Sequence, residues 1–338
     1  MILILSNKED IHCNPVIEKL TASGEDFFRL NTDGLGTDYD VVLNVAPGSK
    51  RLLLKNRFNG KEIDLSKVKS VWERRPTSPS FDHLTNSNLK EVLEEELSEL
   101  AWWLRTLPQT TRFLGHHSLD RSNENKIKQL GVADSICSQF NIGSVSILPT
   151  LVTNKKTSLS DFVSASANSE FFTIKPIGAD GIVIDDTHEM VFWSTRVDRA
   201  TVENFDKDSL LACPILIQPY QEKDSELRCT LVGESVISCE IRNEDLVSGE
   251  GKEDWRQGYA EPMPWHVINT PPAISKFCSR YAEQIGTNFG CFDFIKKPDG
   301  NYIFLECNPN GQWMWLEEEA GAPISDAIVE YLSDGSEE

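Results

Sequence analysis

Positive charge is the first thing this chain is short of. Its 338 residues include 33 Lys and Arg against 53 Asp and Glu, a formal net charge of −20. A protein that tracked a phosphate backbone would need a basic face, so an obvious nucleic-acid binder is excluded. Long apolar runs are also missing: nothing approaches the roughly 18 uninterrupted apolar residues of a membrane helix. The opening MILILSNKED has only a short apolar run and no basic leader, too little for a signal peptide, and it reads as a first strand. CxxC is absent. The eight cysteines (Cys13, Cys137, Cys213, Cys229, Cys239, Cys278, Cys291 and Cys307) lie far apart, so buried free thiols in a reducing cytoplasm are expected rather than disulfides or a zinc site. HExxH is absent too, and His116 and His117 are merely adjacent, so no histidine-built metal site is expected. Without a GxxxxGK(S/T) stretch, any nucleotide must be held by something other than a P-loop.

What remains is an ordinary soluble globular composition, 39% hydrophobic and 25% charged. At about 100–200 residues per domain, the length predicts about two domains. Residues 1–75 alternate short apolar runs (Ile2–Leu5, Phe27–Leu30, Val41–Val45, Leu52–Leu54, Lys69–Trp72) with polar turns and one helical stretch from about Asn14 to Ala22, which predicts a small open α/β sheet. Between Ser87 and Leu107, Leu89, Leu93, Leu97, Leu100, Leu104 and Leu107 recur every three or four residues. They predict one stripe of a long amphipathic helix with an acidic wet face, closed by Pro108. From Ser122 the text SNENKIKQLGVADSICSQFN fits a second helix with an Asn or Ser start, and β-rich text follows: Phe171–Lys175, Ile182–Ile184, Val191–Ser194, Ile215–Pro219, Glu226–Val232 and Glu234–Ile241. A helix around Pro272–Ile285 then precedes the strands Gly290–Lys296 and Tyr302–Glu306, joined by Lys297-Pro298-Asp299-Gly300, a strong hairpin signal.

That hairpin carries the most chemistry. Side chains alternate along a strand, so Asp293 and Glu306 can face the same side, with Asn308 two residues further on. Two strand carboxylates alone are usually coincidence; with the amide oxygen they make an incomplete hard-oxygen set, which suits magnesium completed by water and phosphates. Lys175 ends a strand and runs into Gly178, Ala179, Asp180 and Gly181, small enough for a backbone to approach phosphates, although a glycine-rich turn is weak evidence by itself. Lys126, taken alone, reads as a surface helix lysine. In PILIQPYQEKDSELRCTLVG, the Gln218-Pro219-Tyr220 hinge offers backbone groups to an adenine edge, and Arg228 on an apolar strand needs an anion.

The order of helix lysine, strand lysine with glycine loop, hinge, E-L-R and D…E-x-N resembles the ATP-grasp superfamily over most of residues 115–330. Trp72–Pro76 (WERRP), Glu253–Arg256 (EDWR) and Glu306–Glu317 (ECNPNGQWMWLE) look like the graspetide ligases, the microviridin-type maturases of ribosomally made peptides, and extend the resemblance over the N-terminal part. The resemblance implies an α/β (α+β) ATP-grasp fold. Its expected parts are an N-terminal pre-ATP-grasp domain (1–112), a central domain with the phosphate loop and leader-binding region (113–212), a C-terminal ATP-grasp domain (213–332) and a tail (333–338). It implies ATP held by Lys126, Lys175, Gly178, Gly181, Gln218, Pro219, Tyr220 and Glu226, the last on ribose, with Mg2+, two ions expected, on Asp293, Glu306 and Asn308. The commoner hinge reads Gln-Glu-aromatic; Pro219 in place of the glutamate keeps a backbone contact but not a side-chain one.

Such ligases activate a carboxylate as an acyl phosphate and let a nucleophile displace phosphate. In graspetide enzymes the carboxylate is an Asp or Glu side chain of a precursor peptide, and the nucleophile is its own Thr or Ser hydroxyl or Lys amine. Arg228, Arg242 and Arg256 are expected to supply positive charge, and Asp254 to orient Arg256 or act as base, with orientation favoured. Arg74 and Arg75 read either as structural salt bridges or as the grip on an acidic peptide core. Trp313 and Trp315 read as core or as channel wall. The expected partner is a precursor with a leader, bound around residues 155–200, and a Thr- and Glu/Asp-rich core. A cytoplasmic homodimer without nucleic acid or membrane is expected. Three rivals stand beside this reading. An amino-acid-adding ATP-grasp ligase is disfavoured by WERRP and the Trp-rich end of ECNPN, and a non-catalytic peptide binder by the complete lysine and acid set. A kinase-like phosphotransferase lacks its own signatures.

Overall fold

A computed structural model describes the chain apart from residues 48, 80, 82–83, 106–111, 116–120, 179–180, 186–187, 247–262 and 334–338. The N-terminal part contains β1 (Ile2–Ser6), α1 (Cys13–Ala22), β2 (Phe27–Asn31), β3 (Tyr39–Ala46), β4 (Ser49–Asn56), β5 (Glu62–Asp64), β6 (Ser70–Glu73), α2 (Ser87–Arg105) and β7 (Arg112–Leu114). Its sheet runs β2-β1-β6-β7 with every pair parallel, and β3-β4-β5 form a separate antiparallel arm. Parallel strands are buried on both faces, which is why Ile2 to Leu5 are all buried. In α2 the predicted leucine stripe holds at its C-terminal end, with Leu104 fully buried and Leu97 and Leu100 packed on the core. Leu89 is exposed instead, and Leu107 lies outside the described residues.

Next come α3 (Lys126–Gln139), β8 (Val145–Ser146), β9 (Leu151–Thr153), α4 (Lys156–Ala165), β10 (Phe171–Lys175), β11 (Gly181–Asp185), β12 (His188–Val191), β13 (Thr195–Asp198), α5 (Arg199–Glu203), α6 (Lys207–Ala212) and β14 (Ile215–Pro219). The sheet β13-β10-β14-β9 has its own core of Leu159, Val163, Phe172, Val202, Leu210 and Ile217. The strand predicted at Val191–Ser194 is broken there. The chain leaves the β11–β12 hairpin at Val191 and pairs again from Thr195, now against Ile174 of β10.

The C-terminal part consists of β15 (Ser225–Val232), β16 (Ser235–Arg242), β17 (His266–Ile268), α7 (Pro272–Ile285), β18 (Phe289–Lys296), β19 (Tyr302–Asn308), α8 (Met314–Ala320) and α9 (Ile324–Ser333). Its sheet is β17-β16-β15-β18-β19-β8. Alternation splits the two central faces. Leu227, Cys229, Phe292, Phe294 and Phe304 pack on α3 and α7, which leaves Arg228, Asp293 and Glu306 on the other side. A further core joins the two ends of the chain: Ile2, Ile4, Val16 and Trp72 pack with Trp313, Ile324, Ile328 and Leu332, and Ser70 Oγ donates to the Leu332 carbonyl at 2.7 Å. Among the described residues no helix is long and apolar enough to cross a membrane, and all eight cysteines are free thiols. Ile328→Ala, fully buried in that shared core, is expected to cost about 3 kcal/mol through the cavity it leaves, read as a lower urea midpoint with an unchanged slope.

Candidate active site

The β18–β19 hairpin closes through Gly300, whose φ of 83° needs a residue without a Cβ. From there Ile303 pairs with Ile295 and Phe304 with Phe294, but Glu306 pairs with Asp293, leaving Leu305 as an extra residue. This bulge decides the site. In an unbroken ladder Asp293 would face Leu305 and Glu306 would point into the core; the inserted residue turns Glu306 onto the Asp293 side. Leu305, Glu306, Asn308, Asp293 and Ile295 accordingly line one cleft, while Cys307 is buried in the core.

Two carboxylates side by side repel, and Arg228 answers them. It lies opposite Asp293 on β15, with Nη1 2.6 Å from Oδ2, and Nη2 donates to the Gln312 carbonyl at 3.0 Å. Burial pushes the Asp293 carboxyl up, Arg228 pulls it down and Glu306 pushes it up again, leaving it at about 6. Two residues earlier on the same face, Glu226 pairs with Lys223 at 2.5 Å, a nearly buried lysine that sequence reasoning passed over because QEKDSE reads as a wet loop.

The lysines come from two different elements. Asn125 caps α3, its Oδ1 accepting from the Ile127 and Lys128 amides at 3.0 and 3.1 Å, so Lys126 sits in the first helical turn. Gln129 ties that helix to β19, donating to the Cys307 carbonyl at 2.6 Å and accepting from its amide at 3.1 Å. Lys126 Nζ consequently lies 3.9 Å from Glu306 Oε2 and 3.4 Å from the Pro176 carbonyl, beside Lys175 at the end of β10. Gly178 is an exposed bend. A Cβ on Gly181 would lie 2.5 Å from the Met190 carbonyl, so the β11–β12 pairing alone requires a glycine there. Gln218 is buried with its amide on Thr150 Oγ1 at 2.8 Å. The Tyr220 amide donates to the Phe171 carbonyl at 2.9 Å. Backbone groups alternate edges along an antiparallel strand, so the Pro219 carbonyl and the Gln221 amide face the opposite edge, and Gln221 is a hinge residue the sequence reading did not name.

The arginines separate. Arg75 is exposed and lines the cleft. Arg74 is fully buried and so cannot grip a peptide; of the two sequence readings, the structural one applies to it. Arg242 ends β16 in a second pocket with Glu244, Glu240 and Lys296, away from Asp293, and pairs with Glu244 at 3.7 Å. Asp254 and Arg256 lie outside the described residues. The tryptophans divide as well: Trp313 is fully buried against His12, their rings 5.5 Å apart, while Trp315 lines the cleft, edge-on to Trp265 at 5.2 Å. Among the described residues no three His, Cys, Asp or Glu side chains are grouped to hold a metal by themselves. Asp293, Glu306 and Asn308 offer two carboxylates and an amide oxygen, a partial shell of the kind magnesium completes with water and phosphate.

Comparison with known proteins places these residues in a context. Residues 1–120 match the family model of the MvdD pre-ATP-grasp domain. No curated protein matches the chain in sequence. Among solved structures, the Chryseobacterium gregarium RiPP-associated ATP-grasp ligase in complex with ADP and a leader and core peptide is 25% identical, covering 99% of this chain and 97% of that one with a TM-score of 0.82. The Microcystis aeruginosa macrocyclase MdnC, bound with precursor peptide MdnA, is 26% identical over 99% of both chains with a TM-score of 0.77. Macrocyclase MdnB of the same organism is 25% identical over 99% of both, with a TM-score of 0.72.

Arg228→Met would leave Asp293 as an unpaired buried carboxylate, at an expected cost of about 3 kcal/mol near neutral pH. The folded-state pKa of Asp293 would then rise further above its unfolded value, so the stability it contributes is present at low pH and lost as pH rises through the folded pKa. Urea titrations should accordingly find the variant's deficit largest at neutral pH and smaller toward pH 5.

Proposed function

We infer that the chain is an ATP-grasp ligase that matures a ribosomally made peptide, activating Asp or Glu side chains of a precursor as acyl phosphates and closing them onto Thr or Ser hydroxyls, or Lys amines, as macrocycles. The observation that carries this is convergence. Arg75, Lys126, Lys175, Asp293, Glu306 and Asn308, from three parts of the chain, line one cavity of about 670 Å³, large enough for a nucleotide and a reacting side chain.

In this reading Lys126 and Lys175 hold the ATP phosphates, the Pro219 carbonyl and Gln221 amide take the adenine edge, and Glu226, steadied by Lys223, takes the ribose. Asp293, Glu306 and Asn308 would hold Mg2+, which would offset phosphate charge, with two ions expected. Arg75 grips the peptide carboxylate with a planar guanidinium fork. A carboxylate oxygen attacks the γ-phosphorus as the bond to ADP breaks. The hydroxyl or amine then attacks the acyl carbon and loses its proton, and phosphate leaves with the former carboxylate oxygen. Positioning and fixed positive charge do most of this work. Arg256 is assigned to the developing oxyanion with Asp254 orienting it, and Arg228 acts through Asp293.

The leader is assigned to the region around residues 155–200, where Met190, Val191 and Phe192 are exposed apolar side chains beside the β11–β12 hairpin. A homodimer would cover the exposed Val42, Leu43 and Val45 of β3. Free, mostly buried thiols fit a cytoplasmic enzyme.

The test is mass spectrometry of a precursor, a short peptide with Thr- and Glu/Asp-rich motifs to be sought among the neighbouring reading frames, incubated with enzyme, ATP and Mg2+. Loss of one water per ring is expected, and Arg75→Ala should abolish it while ADP binding is kept. An intact peptide together with ATP hydrolysis that depends on a free amino acid would favour an amino-acid-adding ligase instead.

A further inference from the structure

Arg74 is the strangest side chain in the molecule. It follows β6 and is completely buried, where burial pulls its pKa down against the opposing charge of Asp10. A buried guanidinium is costly unless its donors are used. Here Nη1 donates to two carbonyls, Asn310 at 2.9 Å and Gly311 at 3.0 Å. Nε lies 3.2 Å from Asp10 Oδ2 without hydrogen-bond alignment, and among the described residues Nη2 has no hydrogen-bond partner. Asp10 is itself held by His12, whose backbone amide and Nδ1 lie 3.0 and 3.1 Å from Oδ1.

The two carbonyls belong to the turn that follows Asn308. The Asn310 amide donates to Asn308 Oδ1 at 3.3 Å, and the Gly311 amide to the Asn308 carbonyl at 3.0 Å. The Asn310 carbonyl and the Gly311 amide form one rigid peptide plane, so Arg74 grips one end of the unit whose other end holds Asn308. On the far side of the turn Arg228 holds the Gln312 carbonyl. A Cβ on Gly311 would lie 2.5 Å from Cys291 Cβ and 3.0 Å from Arg228 Nη2. The turn is therefore pressed between two guanidiniums, one from the N-terminal sheet and one from the strand that carries the Asp293 partner. Arg75 takes a left-handed φ of 51°, its carbonyl held by Asn7 Nδ2 at 2.7 Å; strain of this kind persists where surroundings impose it. It sends neighbouring arginines in opposite directions, Arg74 into the turn and Arg75 into the cleft.

We propose that Arg74 is a positioning residue for the magnesium–nucleotide site: from the N-terminal domain it sets the Asn308–Gln312 turn, and with it the Asn308 oxygen. The inference rests on the assignment of Asp293, Glu306 and Asn308 to magnesium. Removing Arg74 should weaken only the metal-dependent part of nucleotide binding, because no other residue assigned to ATP touches that turn.

The test measures ADP binding by calorimetry with and without Mg2+. In the wild type, Mg2+ should strengthen ADP binding. Arg74→Met is expected to leave metal-free ADP affinity unchanged and to cut the Mg2+ enhancement about tenfold to a hundredfold, the usual effect of removing a group that orients a metal ligand. Arg74→Lys, which can still donate to both carbonyls, should restore most of it. Gly311→Ala moves the turn from the Cys291 and Arg228 side and leaves Arg74 and Asp10 in place, so it decides the matter if Arg74→Met does not fold. A folded Arg74→Met or Gly311→Ala protein with the full wild-type enhancement would overturn the proposal. Absence of any Mg2+ enhancement in the wild type would overturn the magnesium assignment, and this inference with it.

Discussion

Asp293 and Glu306 are cross-strand neighbours, and two carboxylates held side by side on one face of a sheet repel. Arg228 answers from the adjoining strand at 2.6 Å, which keeps Asp293 from titrating even higher than it does. Lys126 answers from a helix N-terminus at 3.9 Å from Glu306. Lys126 is also one of the two lysines assigned to the ATP phosphates in the proposed reading. The site is thus an arrangement of opposing ions, and β-sheet register is what holds the participants at fixed separations.

That register needs outside support. The face of the sheet opposite the cleft is covered by α3 and α7 and filled by aromatic rings of the strands and of α7, with Phe294 and Phe304 5.8 Å apart and Phe277 5.5 Å from Phe294. Gln129 fixes α3 to β19, and with it the height of Lys126. The N-terminal part contributes through Arg74 and through a core that joins β1, β6 and α9, so it is structurally continuous with the half that carries the cleft. The acidity of the chain becomes a constraint of the same kind. A protein of net charge −20 repels an acidic peptide at long range, but salt screens that field over about 10 Å, and inside the cleft Arg75, Lys126 and Lys175 set the sign.

Much of this was legible in the sequence, for identifiable reasons. The hairpin from Asp293 to Asn308 announced itself through Pro-Asp-Gly and period-two alternation, α3 through an Asn or Ser start that the structure places at Asn125, and the strand lysine through its glycine-flanked end. The bulge at Leu305 was not legible, since a one-residue slip depends on which strand is the partner and leaves no mark in composition. Nor was the parting of Arg74 from Arg75, which hangs on one left-handed φ. Arg242 had the right residue type on the right sheet, but it is level with Ser225 at the strand's end, away from the carboxylates. Gly181 looked like a phosphate-loop glycine and is explained by close strand pairing, while Gln221 enters because Pro219 and the Tyr220 bond fix which backbone groups face outward.

The central claim is that a peptide side-chain carboxylate is activated by phosphorylation in this cleft. The most direct measurement follows oxygen: a substrate peptide with heavy oxygen in its Asp and Glu side-chain carboxylates is cyclised with unlabelled ATP in unlabelled water, and the released phosphate is analysed. Transfer of heavy oxygen into phosphate, one atom per ring formed, is the predicted result. Cyclised peptide with wholly unlabelled phosphate would contradict the account.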